Sequence, residues 1–238
     1  MIHAVIFDID NTLYDYDAAH TVAFRILTQY AQQTLHVNAE DFSALHQKAD
    51  QILRRRTGGD CAAIHNRLIR YQILLEELGK PILHAPVMER LYWNSLIDAA
   101  VPSPGALDCL TQLRQAGIRL GVGTDMTADW QYAKLDRLNL LPLLDFVVTS
   151  EEAGQEKPGS GFFQLCLEKA RCPASGCVFI GDNWSKDVEG ARNSGMHPVW
   201  YHPHSGPDTP AFDNHIPEVR SLDELTQYVL ASLPTTVE

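Results

Sequence analysis

The sequence predicts an α/β fold: a parallel sheet with helices on both faces, interrupted by an inserted all-α module of four helices. Three observations carry this. Short β-branched or aromatic runs recur along the chain, helical patterns separate the later ones, and residues 17–98 hold helical stretches with no convincing strand. Strands alternating with helices imply right-handed βαβ units and therefore parallel pairing.

The first run, HAVIF (3–7), passes into the polar segment DIDNT, the pattern of a buried strand whose carboxyl end carries chemistry. Further runs are IRLGVG (118–123), DFVVT (145–149), GCVFI (176–180) and HPVWY (197–201). Helical patterns cover Ala106–Ala116 and Phe162–Ala170, and Gly117 stands where a left-handed helix end is expected. In the insert, helices are expected over Ala18–Leu35, Ala39–Arg56, Cys61–Leu78 and Pro86–Leu96. Asp17 and Asp60 are placed to cap the first and third of these. Gly58-Gly59 and Gly79-Lys80-Pro81 punctuate the helices, and Ala99–Pro104 returns the chain to the sheet. The insert reads as a lid, because ligands of such sheets bind beyond the carboxyl ends of the strands.

Composition narrows the function. The 238 residues are 45% hydrophobic and 21% charged, an ordinary globular balance. A net charge of −11 disfavours binding to a nucleic acid polymer but leaves room for a local cationic pocket. No apolar run approaches the roughly 20 residues that cross a bilayer, and no secretory signal precedes Asp8. Five cysteines, an odd number without a CxxC pair, read as buried reduced thiols. The expectation is a cytoplasmic protein with no membrane partner.

The chemistry begins with Asp8-Ile9-Asp10-Asn11-Thr12. Side chains two apart on a strand point to one side, so Asp8 and Asp10 project together if the strand continues. Two such carboxylates repel unless a cation neutralises them or one takes a proton. A lone DxD also suits an ordinary strand-end turn. A calcium loop fails, because Leu13 replaces the glycine it needs and Ala19 its final Glu.

Four ordered pieces, Asp8–Thr12, Thr124 after a strand, Lys157-Pro158, and Gly181-Asp182-Asn183 with Asp187, give the chain its resemblance to the haloacid dehalogenase-like (HAD) hydrolases. The closest likeness is to their phosphatase members with a helical cap inserted after the first strand. The resemblance implies a Rossmann-like core in residues 1–16 and 99–238, with a cap domain in residues 17–98. It makes Asp8 the nucleophile that forms an aspartyl phosphate, and Asp10 the general acid and then base. Asp8, Asp182 and the Asp10 carbonyl are implied as Mg2+ ligands, an all-oxygen set that suits this ion. Asp187 is expected in the metal shell, although its position also suits an N-cap for Val188–Asn193. Thr124 and Lys157 are expected on the phosphoryl oxygens. Asp125 stands beside that site where many members carry a neutral residue.

The cap is expected to choose the leaving group, with Tyr14, Tyr16, Arg54-Arg55-Arg56 (Arg55 foremost), His65, Asn66 and Arg67 as candidate readers. His202-Pro203-His204 reads as a surface loop. The expected substrate is a small phosphorylated metabolite: a nucleoside monophosphate, flavin mononucleotide or sugar phosphate. Competing chemistries on the same scaffold are weaker. A dehalogenase lacks the second Asp of DxD, no mutase cap signature stands out, and neither Lys48 nor Lys80 is set for the imine of a phosphonate hydrolase. A silent binding protein predicts loss of a chemical residue, and none is lost. The oligomeric state is not legible.

Overall fold

The computed structural model describes residues 1–204 and 215–233. Residues 205–214 and 234–238 of the expected core lie outside the described residues. Six parallel strands form one sheet in the order β3-β2-β1-β4-β5-β6. They are β1 (Ala4–Phe7), β2 (Arg119–Thr124), β3 (Phe146–Thr149), β4 (Cys177–Gly181), β5 (His197–Tyr201) and β6 (Glu218–Val219). The first five fall within one or two residues of the runs that predict them. The sixth has only two residues, too few for a periodic pattern, and is held by its register with β5 at Trp200↔Glu218 and Tyr201↔Val219.

Alternation sorts the side chains of the central strands. Val5 and Phe7, with Val178 and Ile180, enter the larger core on one face of the sheet. Ala4 and Ile6, with Cys177 and Phe179, enter a smaller core built around Phe162 and Phe163. Helices α5 (Ala106–Gln115), α6 (Ala128–Arg137), α7 (Ser150–Ala153), α8 (Ser160–Ala170), α9 (Glu189–Asn193) and α10 (Leu222–Ala231) connect or follow the strands. The order of the strands switches sides at β1: the connections first step to β2 and β3, then return to β4 on the other side. The crevice above β1 and β4 is where such a sheet accepts ligands.

Five α-helices intervene between β1 and β2: first the four of the insert, α1 (Tyr16–Tyr30), α2 (Ala39–Thr57), α3 (Arg67–Leu78) and α4 (Ala85–Ala99), and then α5. Their caps correct two expectations. Asp15, not Asp17, caps α1 by accepting the Ala18 N–H at 2.8 Å. Asn66, not Asp60, caps α3 by accepting the Ile69 N–H at 3.0 Å, because residues 62–65 form a separate tight turn. Asn38 caps α2, and Pro86 sits in the first turn of α4, where its missing N–H costs nothing. Tyr71, Tyr92, Trp93 and Phe42 fill the interior of this layer.

The chain leaves for these helices and returns beside itself. Tyr14 pairs with Pro102, and the Ser103 N–H donates to the Leu13 carbonyl at 2.8 Å. All five cysteines are unpaired; Cys109, Cys166 and Cys177 are buried, whereas Cys61 and Cys172 are half-buried. Among the described residues, no helix is long and apolar enough to cross a membrane.

Candidate active site

Asp8 follows β1 directly, and its N–H donates to Ile180 on β4 at 2.8 Å, so the strand pairing continues to the site. Asp182 follows β4, one strand away. Asp187 comes from the turn Trp184–Val188 that follows. The expected helix cap falls elsewhere: Asn183 caps that turn, and Asp187 lies within it, 1% exposed. One oxygen of Asp187 accepts the Asn183 N–H at 3.0 Å. Gly181 permits this approach, because a Cβ there would stand 2.2 Å from an Asp187 oxygen.

Lys157 binds the cluster together. Its Nζ donates to Asp8 Oδ1 at 2.8 Å and to Asp187 Oδ1 at 2.7 Å, with the Gly123 carbonyl at 3.4 Å. Burial disfavours the ammonium, but Asp187 and Asp8 outweigh it and hold Lys157 charged. One cation is thus shared by two carboxylates. Burial, reinforced by Asp187 and Asp182 against Lys157, pushes the Asp8 carboxyl well above the ordinary range. Burial and then Asp187 push Asp182 up to about 6. Oxygens of Asp8, Asp182 and Asp187 lie within 4.8 Å of one another. An all-oxygen set with excess negative charge fits a hard divalent cation.

Asp10 differs from its neighbours. Its Oδ1 accepts bonds from Lys134 Nζ and the Tyr14 hydroxyl, both at 2.7 Å. Burial pushes this carboxyl up, but the Lys134 charge and the two hydrogen bonds prevail and hold it below the usual value. Lys134 is fully buried on α6, with its Nζ over the rings of Tyr14, Tyr16 and Trp93. Sequence reading missed it. The signal was there: Gln131, Lys134 and Leu135 share one buried helix face.

Thr124 ends β2 with its hydroxyl accepting from Gln131 Nε2 at 2.7 Å and is 1% exposed. Asp125 has a defined job: its Oδ1 accepts the Lys157 backbone N–H at 2.9 Å and its Oδ2 accepts Lys186 Nζ at 2.7 Å. The unexpected acid therefore pins the loop that carries Lys157.

Above these groups lies a cavity of about 510 Å³ whose lining runs from Asp10 and Tyr16 to His46, Asp50, Arg54, His65, Arg67 and Arg70 of the inserted helices. His65 reaches Glu156 at 2.7 Å, linking the insert to the loop beside Lys157. Two other candidate readers stand apart. Tyr14 is fully buried on Asp10, and Arg55 is exposed outside the cavity lining while its neighbour Arg54 lines it. Asn66 is occupied with capping α3. His202 stacks on Trp200 and lies 3.5 Å from Glu218 of β6.

A strand-end aspartate thus sits beside two further acids and a buried lysine, under a helical layer. The chain belongs to the haloacid dehalogenase-like hydrolases, whose family profile matches residues 2–195. It is 34% identical to a ribulose-1,5-bisphosphate 5-phosphatase of Halopiger xanaduensis, over 96% of this chain and 100% of that one. It is 33% identical to a glyceraldehyde 3-phosphate phosphatase of Methanothermobacter thermautotrophicus, over 82% and 84%. Among solved structures, YfnB of Bacillus subtilis, described as a HAD-type hydrolase and crystallised with magnesium, superposes with a TM-score of 0.69 at 27% identity, covering 98% and 99%.

Proposed function

We propose that the protein is a Mg2+-dependent phosphatase of small phosphate monoesters, acting through an aspartyl phosphate on Asp8. The observation that carries this reading is Lys157 bridging Asp8 and Asp187, with Asp182 in the same cluster. In the first step an Asp8 oxygen attacks phosphorus, the bond from phosphorus to the ester oxygen breaks, and Asp10 protonates the departing alkoxide. Lys157 offsets charge on the phosphoryl oxygens, and the rigid end of β1 fixes the line of approach. In the second step a water attacks the aspartyl phosphate as Asp10 takes its proton, releasing inorganic phosphate and restoring Asp8.

Lys134 and Tyr14 hold Asp10 ionised before substrate enters, which suits the second step. The negative charge of an arriving phosphoryl group favours its protonation for the first. The Asp8 and Asp182 carboxylates and the Asp10 carbonyl would hold the metal. Asp187, whose oxygens accept Lys157 Nζ and the Asn183 N–H, orients Lys157 and would stand in the shell of the metal. Bound Mg2+ supplies charge that offsets repulsion between the carboxylates and the anionic substrate.

In this reading residues 17–98 are the substrate-selecting cap and residues 1–16 and 99–238 the catalytic core. Two of the relatives are named for sugar phosphates, so a substrate search starts with these and goes on to nucleotides and flavin mononucleotide. A small metabolite, not a nucleic acid polymer, is the partner, and unpaired thiols suit a reducing cytoplasm. The test is phosphate release from a metabolite panel with and without Mg2+. Turnover that needs Mg2+ and disappears in Asp8→Asn is expected; full turnover by Asp8→Asn overturns the mechanism.

A further inference from the structure

Arg67 opens α3, lines the cavity above Asp10 and is 7% exposed. Its Nη2 donates to the Tyr16 hydroxyl at 3.2 Å and reaches the Tyr92 hydroxyl at 3.5 Å. The guanidinium lies over the rings of Tyr92 and Trp93, 5.0 and 5.7 Å from their centroids. These are neutral partners, and Nε has none. No ion pair between Arg67 and a carboxylate forms among the described residues.

The neighbouring charges do not supply one. Asp50 is shared by Arg54 and Arg70, and Asp10 is taken by Lys134. His46 adds no counter-charge: burial, with Arg70 and Arg67 beside it, pushes it down to about 3, so it is neutral. Its Nε2 also lacks a partner and belongs to the same lining. A buried guanidinium without a counter-ion is costly unless an anion arrives to meet it. Arginine is suited to that task, because its planar fork matches phosphate and carboxylate oxygens.

We infer that Arg67 binds a second anionic group of the substrate, a phosphate or a carboxylate at the end remote from the phosphoryl group under attack. The preferred substrates are therefore small bis-anionic phosphate esters. The inference rests on the phosphatase reading and deepens it: the core handles one phosphoryl group, and the cap selects by the charge at the other end. The cavity volume lies in the range of small-molecule sites.

The test compares n-alkyl phosphates with α,ω-alkanediol bisphosphates and ω-phosphooxyalkanoates of equal chain length, from three to about five carbons, on the full chain with Mg2+. The wild type is expected to favour a doubly anionic series by roughly 10- to 100-fold in kcat/KM, chiefly through KM. A preference for the bisphosphates assigns a second phosphate, and one for the phosphooxyalkanoates a carboxylate; either supports the inference. Arg67→Gln is expected to bring the ratio towards one whatever the absolute rates, and Arg67→Lys to keep part of it. Turnover of all series by the wild type at equal efficiency overturns the inference and leaves the phosphatase reading standing, even if Arg67→Gln does not fold. An unchanged ratio in a folded Arg67→Gln overturns it too. No turnover of any compound overturns the phosphatase reading and the inference together.

Discussion

The two walls of the cavity are built on opposite principles. Below, at the strand ends, the charged groups answer one another: Lys157 joins Asp8 to Asp187, Asp125 pins the Lys157 loop, and Lys134 holds Asp10. Above, on the inserted helices, Arg67 rests on phenols and indole without an anion. The lower wall is arranged for one reaction before any substrate arrives. In the reading proposed above, the upper wall is completed at Arg67 by the substrate, as expected where chemistry is fixed and selection is delegated to a lid.

The lower wall breaks most completely at its nucleophile. Asp8→Asn is expected to lower steady-state phosphate release by roughly 10³-fold or more, with folding retained by circular dichroism. Lys157→Met comes next, at about 10²- to 10³-fold in kcat, since it removes the charge that meets the developing oxyanion. It also leaves Asp8 and Asp187 buried without their cation, so its Tm in the absence of metal falls below that of the wild type. A Tm unchanged by this substitution contradicts the bridging role.

Lys134→Met probes the seam between the walls. Without Lys134 the Asp10 carboxyl rises, and because Asp10 must donate a proton in the first step, the alkaline limb of the kcat/KM profile is expected to move about one pH unit upward. An unmoved limb shows that Lys134 serves packing alone. The effect of His65→Ala is smaller. Loss of its contact with Glu156 loosens the insert against the core and is expected to raise KM about two- to fivefold.

Metal linkage gives a smaller but sharp comparison. Asp182 is raised to about 6 in the fold, against an ordinary aspartate in the unfolded chain. Between these values the folded state holds more protons, so this group's contribution to stability is full below the window and is lost as pH rises through it. A divalent cation relieves the repulsion that remains. Mg2+ is expected to raise Tm by about 2–5 °C at pH 7.5 and by less at pH 5. Equal shifts at both pH values argue against Asp182 as a ligand.

The same division governs what could be read from the sequence. Strand runs and strand-end acids are local patterns, so β1 to β5 were legible from them, while the grouping of Asp8, Asp182 and Lys157 was legible through the family resemblance. Asp125 was legible as a residue but not as a tether, because its partners Lys157 and Lys186 come from distant loops. In the insert, function depends on helical phase. Each residue turns the chain by about 100°, so Arg54 enters the cavity lining while adjacent Arg55 does not. Helix α3 began later than its apolar pattern suggested because a tight turn at Ala62–His65 precedes it. Lys134 escaped notice because a lysine on a buried helix face is read as solvated unless its distant carboxylate is known.

The Tyr14–Pro102 pairing and the Leu13–Ser103 hydrogen bond bear on how this molecule can evolve. Entry and exit of the inserted helices meet at one stitched point, so the chain crosses into this cassette and back at a single joint. A cassette of another length or shape can be spliced there without rethreading the sheet or displacing Asp8 and Asp10 just upstream. Recombination at that joint offers a route to new specificities that leaves the catalytic apparatus intact.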